Sequence, residues 1–356
     1  MKTRVLPRSG MASDASEIYQ RTLRNRVIFL LVLLLAILCS ILLDFTIGPA
    51  NLDLSTLLST LLHPHSAEAA TRVIVWDIRL PFSLIAVLVG LGLGMAGAEM
   101  QTILNNPLAS PFTLGVSSAA SFGAALAIIL GIGIPGVPAQ WLITGNAFIF
   151  ALLTVVILNV VGRKATQSRT TIVLFGIALV FTFNALVAMM QFIANQDTLQ
   201  SLVFWTMGSL ARASWQKLTI LALALIVLLP WSMRNAWQLT ALRLGEDRAA
   251  SFGINVARLR MTSLLRISLI SALAVAFVGP IGFIGLVAPH IARRLVGEDH
   301  RFYLPASALI GALILSLSSV ASKNIVPGVV IPIGIITSLI GVPFFIMIIL
   351  RNRGNF

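Results

Sequence analysis

Cysteine is nearly absent. The single Cys39 leaves no intramolecular disulfide to form. Charge is scarce too: charged side chains make up 10% of the 356 residues, against about 25% in ordinary soluble domains. That is too little to cover a water-exposed surface. Several chemistries are missing outright. No Gly-x-x-x-x-Gly-Lys-Ser/Thr loop occurs, so the chain has no nucleotide-phosphate cradle of that kind. Neither a His-Glu-x-x-His pair nor a Gly-x-Ser-x-Gly elbow is present, and His63, His65, His290 and His300 are scattered. With no nucleophile or metal cluster in the apolar segments, enzymatic chemistry is set aside and no metal site is expected.

What is present is apolar. Hydrophobic residues reach 58% and mean hydropathy is +0.96. Long apolar runs recur from residue 27 almost to the end, each close to the ~20 residues that span a bilayer. They predict an all-α, multi-pass membrane protein with about ten spans, near 27–47, 83–104, 115–133, 141–161, 171–194, 216–232, 261–279, 281–294, 304–322 and 330–350. The largely polar stretch of 26 residues ahead of the first run is too long for a signal-peptide head. They are read as a cytoplasmic tail, with 27–352 as one transmembrane domain. A short interfacial helix is expected over 198–210, with Trp205 at headgroup level.

The net charge of +13 raises nucleic acid as a partner, but its distribution answers otherwise. With both termini inside, only Arg72, Arg79, Arg212, Lys217 and Lys323 fall on outer segments. The other twenty of the 25 Lys and Arg residues, Arg266 among them, are counted inside. This is the positive-inside pattern of a membrane protein, and no nucleic-acid role is expected.

Within this frame a few strings stand out. Gly279-Pro280-Ile281-Gly282-Phe283-Ile284-Gly285 runs on through Pro289 to Arg293-Arg294, an apolar stretch broken by Gly and Pro. Irregular backbone at membrane depth survives only where protein or a water-filled cavity surrounds it. Asn105-Asn106-Pro107-Leu108-Ala109-Ser110-Pro111 makes a double-proline turn ahead of a Gly-, Ala- and Ser-rich helix suited to close packing. Leu244-Gly245-Glu246-Asp247-Arg248-Ala249-Ala250-Ser251-Phe252-Gly253 reads as a short helix, with carboxylates at its N-terminus and a glycine at its C-terminal cap. Its small residues offer a flat face to a partner. Glu99 lies inside a predicted span, where a carboxylate costs about 2.5–3.5 kcal/mol on insertion scales. Water or Arg169 is within its expected reach. An ion-coupled secondary transporter is the rival class that Glu99 keeps open.

Taken with Val296-Gly297-Glu298-Asp299-His300-Arg301, these strings resemble the iron-siderophore, heme and vitamin B12 permease family, the membrane subunits of type II ABC importers. Arg79-Leu80-Pro81, Asn106-Pro107-Leu108-Ala109, Trp205-x-x-Gly208-Ser209-Leu210, Leu244-Gly245…Gly253, Gly282–Arg294 and Leu339-Ile340-Gly341-Val342-Pro343-Phe344-Phe345 occur in the family's order across roughly residues 70–352. The resemblance implies a ten-span permease of two related, inverted halves, paired with a second copy or paralogue. It implies two cytoplasmic ABC ATPases that carry ATP–Mg, no cofactor on this chain, and an external binding protein, all at a prokaryotic plasma (inner) membrane. The ATPases would grip coupling helices at about 237–256, through Leu244, Gly245, Glu246, Arg248, Ala250 and Gly253. Arg79 and Lys323 would dock the binding protein. Asn184 and Gln191 would line the path, and Thr166 and Ser168 would sit at its cytoplasmic gate. The cargo expected is a ferric siderophore, with heme or cobalamin as alternatives. Two departures touch docking: Phe82 stands where many relatives have a second arginine, and Val330-Ile331-Pro332 where they carry Glu-x-Pro.

Overall fold

The computed structural model describes residues 8–48, 50, 52–164 and 169–351. Among them every regular element is helical. α1 (Arg8–Thr46) is followed by two short helices, α2 (Leu54–Leu62) and α3 (Ala69–Arg72). A π-helical stretch, Val73–Arg79, then leads into α4 (Leu80–Ile103). Next come α5 (Val116–Leu130), α6 (Ala139–Lys164), α7 (Arg169–Ile193), the short α8 (Gln196–Thr206) and α9 (Trp215–Arg234). The short α10 (Ala236–Leu242) and α11 (Glu246–Ser251) precede α12 (Val256–Val278), α13 (Ile284–Val296), α14 (His300–Asn324) and α15 (Ile333–Arg351).

Among the described residues seven helices are long and apolar enough to cross a membrane, and Val116–Leu130 and Ile333–Met347 are shorter apolar helices. With α13 as the short, broken member, they match the ten expected spans in order. The ends differ for local reasons. α1 begins far ahead of residue 27 because nothing in residues 8–26 breaks the helix. Gly131, at φ +65°, stops α5 three residues early. The backbone leaves helical form after Gly279 (φ +84°) and resumes past Phe283 (φ +67°), which delays α13 to Ile284.

Burial sorts the helices into layers. In the most apolar windows of α4 and α12, 72% of the residues are buried, and 61% in α14; the figure for α1 and α7 is 22%. α4, α12 and α14 therefore form the centre, and α1, α6, α7 and α9 the rim. Glycine lets α4 sit there. A Cβ at Gly94 would lie 2.2 Å from Ser307 O on α14, and one at Gly97 would lie 1.9 Å from Gly285 O on α13. Backbones meet directly, as small residues allow in membranes. Gly97→Ala is expected to force the helices apart at a cost of about 3 kcal/mol, the upper end for overpacking. Gly145→Ala, where a Cβ meets open space, should be neutral. Unfolding midpoints in detergent compare the two.

Candidate coupling and translocation site

Two short helices between α9 and α12 carry the expected coupling surface. After α10 the chain turns at Gly245, whose φ of +111° favours glycine. Glu246 and Asp247 occupy the first turn of α11. The helix closes in a Schellman arrangement, with the Gly253 N–H donating to Ala250 O at 2.9 Å and the Ile254 N–H to Ala249 O at 3.2 Å. This geometry sorts the predicted residues by exposure. Ala249 is buried beneath, while Leu244, Gly245, Arg248, Ala250 and Gly253 are exposed. Glu246 keeps a side chain that is partly exposed and accepts from Arg260 Nη2 at 2.6 Å, which ties α11 to α12.

The residues expected along the path are only partly described. Asn184 is exposed and Gln191 half-buried on α7, beside exposed Phe181, Met189 and Phe192. Thr166 and Ser168 lie outside the described residues. Elsewhere, an apolar cavity of about 620 Å³ lies between the Gly279–Phe283 turn, the end of α8 and α15, lined by Phe112, Met207, Phe283, Leu339 and Pro343. Trp205 is not the headgroup anchor expected. It is buried in a cluster with Ala272, Val275 and Ala276 of α12, with the Arg212 guanidinium 5.6 Å from its ring centre.

Glu99 is buried, and the side chain of Arg169 lies outside the described residues. Glu99 Oε2 accepts from Arg266 Nη2 at 2.9 Å, with the two side chains 1% and 0% exposed. Arg266 therefore belongs to the membrane-spanning interior, and its placement among the cytoplasmic charges is corrected. Arg266 Nη2 also donates to Ser263 Oγ at 2.9 Å, and the guanidinium lies 5.2 Å from the Trp231 ring centre. Glu99 Oε1 and Arg266 Nε and Nη1 have no hydrogen-bond partner among the described residues.

The two cations expected to dock a binding protein both have buried side chains in this chain. Arg79 is 4% exposed and caps the end of α1, donating to Phe45 O at 3.2 Å, Thr46 O at 2.9 Å and Ala50 O. Lys323 is 4% exposed and pairs with Asp44 at 3.0 Å. Asp44, which the sequence reading passed over, is fully buried and also accepts from Ser83 and Ser319. The Phe82 ring lies 4.3 Å from Lys323 Nζ, so a second arginine at 82 would bring like charge against that lysine. Of the cations expected on outer segments, Arg72 is exposed. Lys323→Met is expected to leave Asp44 as an unpaired buried charge and to destabilise by about 3 kcal/mol or more. Adding Asp44→Leu should recover much of that loss, read as unfolding midpoints of the single and double variants.

Between α10 and α13, Arg243 Nη2 donates to Glu298 Oε1, and Arg293 Nε lies 3.4 Å from the same oxygen. Burial pushes the Glu298 carboxyl up, but Arg243 and Arg293 outweigh it and hold the group below its ordinary value. Asp299 is likewise held low, first by its hydrogen bond from Arg301.

A bundle of central glycine-notched helices, a broken span and a small-faced helix pair displayed at one end define a multi-pass transport permease. Comparison gives the particular family. The chain matches the FecCD transport family over residues 32–351 and belongs to it. It is 35% identical to the hemin transport system permease protein HmuU of Yersinia pestis, covering 90% of this chain and 96% of that protein. With the Fe(3+)-citrate import system permease protein YfmE of Bacillus subtilis it shares 37% identity, over 90% and 94% of the two chains. A solved structure described as an inward-facing conformation of a metal-chelate type ABC transporter superposes with a TM-score of 0.79 at 30% identity, over 91% of this chain and 99% of that one. The protein is the permease of a type II ABC importer for a chelated metal, heme or cobalamin.

Proposed function

We propose that this permease carries a ferric siderophore inward across a prokaryotic plasma membrane by alternating access, driven by ATP hydrolysis on two separate cytoplasmic ATPase subunits. The observation that carries the reading is the exposed Leu244–Gly253 surface on a chain without a phosphate loop. Such a chain needs its energy delivered, and a small-faced helix closed at its C-terminal end by the Gly253 and Ile254 hydrogen bonds suits delivery by a gripping partner. Both termini then lie in the cytoplasm, and this chain binds no cofactor. A second copy or paralogue pairs with the exposed apolar face of α7, which carries Asn184 and Gln191, and the path runs between the two. An external binding protein docks at the opposite end, where Arg72 rather than Arg79 or Lys323 offers an exposed charge. Engagement of Glu99 by Arg266 speaks against an ion-coupled transporter, since the carboxylate already has its counter-charge.

The apolar, weakly polar walls suit a bulky chelate, and the iron-citrate and metal-chelate relatives support iron as its metal. The test is a panel of ferric hydroxamate, ferric catecholate, ferric citrate, hemin and cobalamin. Each is titrated onto the binding protein and then offered to the reconstituted complex. Saturable binding and uptake of a ferric siderophore is the expected result. Hemin or cobalamin selected instead would transfer the assignment to that cargo.

A further inference from the structure

The Val296–Arg301 segment marks the family in the sequence, and the functions described so far leave it without a task. In the structure it is a crossroads. Glu298 joins Arg243, just past α10, to Arg293 on α13. Arg293 Nη2 in turn donates to Gln101 Oε1 on α4 and to Tyr303 Oη on α14, each at 3.1 Å. Arg243 Nη1 also donates to Asn105 Oδ1 at 3.0 Å, just beyond α4. Beside this chain of contacts, His300 is fully buried with both ring nitrogens engaged. Its Nε2 lies 2.8 Å from Thr102 Oγ1 on α4, and its Nδ1 lies 3.2 Å from Thr240 Oγ1 on α10. The His300 backbone N–H donates to the same Thr240 hydroxyl at 3.0 Å. Asp299 caps α14 and reaches Arg26 on α1 at 3.8 Å.

We infer that this polar crossroads is the relay by which displacement of the coupling helices is passed into α4, α13 and α14, with Thr240, Arg243, Glu298 and His300 as its positioning residues. The inference rests on the importer reading above. Its physical basis is connectivity and directionality. α10 touches the central helices through apolar contacts that can slide and through these hydrogen bonds, which cannot be displaced without breaking. α4, α13 and α14 are in turn locked to one another at their glycine and serine contacts, so a push received at Thr102, Gln101 or Tyr303 moves them together. The charged hydrogen bonds at the half-exposed Glu298 side chain are directional, and unmaking the contacts of the fully buried His300 leaves an unpaired buried group. Such a set resists gradual deformation and favours two discrete arrangements.

The test uses the complete complex of permease, ATPases and binding protein in proteoliposomes. Thr240→Val and Glu298→Gln preserve shape while removing a link. Uptake of the chelate panel is measured against ATP hydrolysed, with assembled complex quantified in parallel. The relay predicts normal assembly and normal basal hydrolysis, but uptake per ATP reduced about tenfold, within the usual range of coupling between sites. It also predicts that Arg243→Gln combined with Glu298→Gln costs less than the sum of the two single variants, because both break the Arg243–Glu298 link they share, and that Arg243→Lys recovers part of the function. Uptake per ATP equal to wild type in both shape-preserving variants overturns the relay. So does uptake that falls only in proportion to the folded complex, which is the result of a merely structural role. Wild-type uptake that needs no ATP would overturn the importer reading itself, and is distinct from wild-type uptake that tracks ATP while the variants track it equally well.

Discussion

Replacing Arg266 with methionine while Glu99 remains is expected to destabilise the protein by about 3–5 kcal/mol, the usual cost of stranding one member of a buried ion pair. The pair is almost wholly removed from solvent, so no water can take over the missing counter-charge. The Arg266 side chain also packs against Trp231, which adds lost contact to lost charge. Glu99→Leu together with Arg266→Met should recover most of the loss, or exceed wild type. One carboxylate oxygen and two guanidinium nitrogens lack hydrogen-bond partners among the described residues, and incompletely satisfied pairs compare poorly with well-packed apolar side chains of similar volume. Unfolding midpoints of the two variants in detergent check this. The double variant also discriminates mechanism: a protein powered by ATP should still transport with the pair replaced, in proportion to the folded amount. Folded double variant without uptake would return Glu99 to a role in ion coupling.

The second large effect is expected at Ala250. Ala250→Glu places a carboxylate on the exposed face of α11, on a helix whose capping and underside are untouched. Membrane insertion and folding should therefore be unchanged. An unpaired charge driven into a protein interface costs about 2–5 kcal/mol, equivalent to about 30-fold or more in affinity. ATP-driven uptake should fall accordingly, together with co-purification of the ATPase. Normal uptake and normal ATPase association in this variant would remove the 244–253 surface from the account.

Much of the fold was legible because a bilayer leaves a local mark: each span is an apolar run of nearly fixed length. The break at Gly279–Phe283 was readable for the same reason, since Gly and Pro act on their own neighbourhood. The short coupling helix could be read from Gly245, its acidic first turn and Gly253. What could not be read locally were pairings between distant residues. Glu99 and Arg266 are 167 positions apart, and nothing in either neighbourhood names the other. A signal did exist. Arg266 lies within the apolar run that begins at Met261, and two opposite charges buried in different spans should be suspected of meeting. Counting it as a loop charge hid that. Asp44 was overlooked in the same way, which left Arg79 and Lys323 looking like free surface cations. The relay was illegible for a further reason: Glu298 and His300 read as an ordinary polar loop until α4, α10 and α13 close around them.

The central claim is that this permease draws its energy from an ATPase on another chain. Uptake of the panel chelates into proteoliposomes tests it most directly, with the permease reconstituted with and without the ATPase partner, with and without ATP, and with imposed proton or sodium gradients. The account predicts accumulation only when ATPase and ATP are both present, and indifference to the gradients. Accumulation by the permease alone, driven by a gradient and abolished when it collapses, would contradict it.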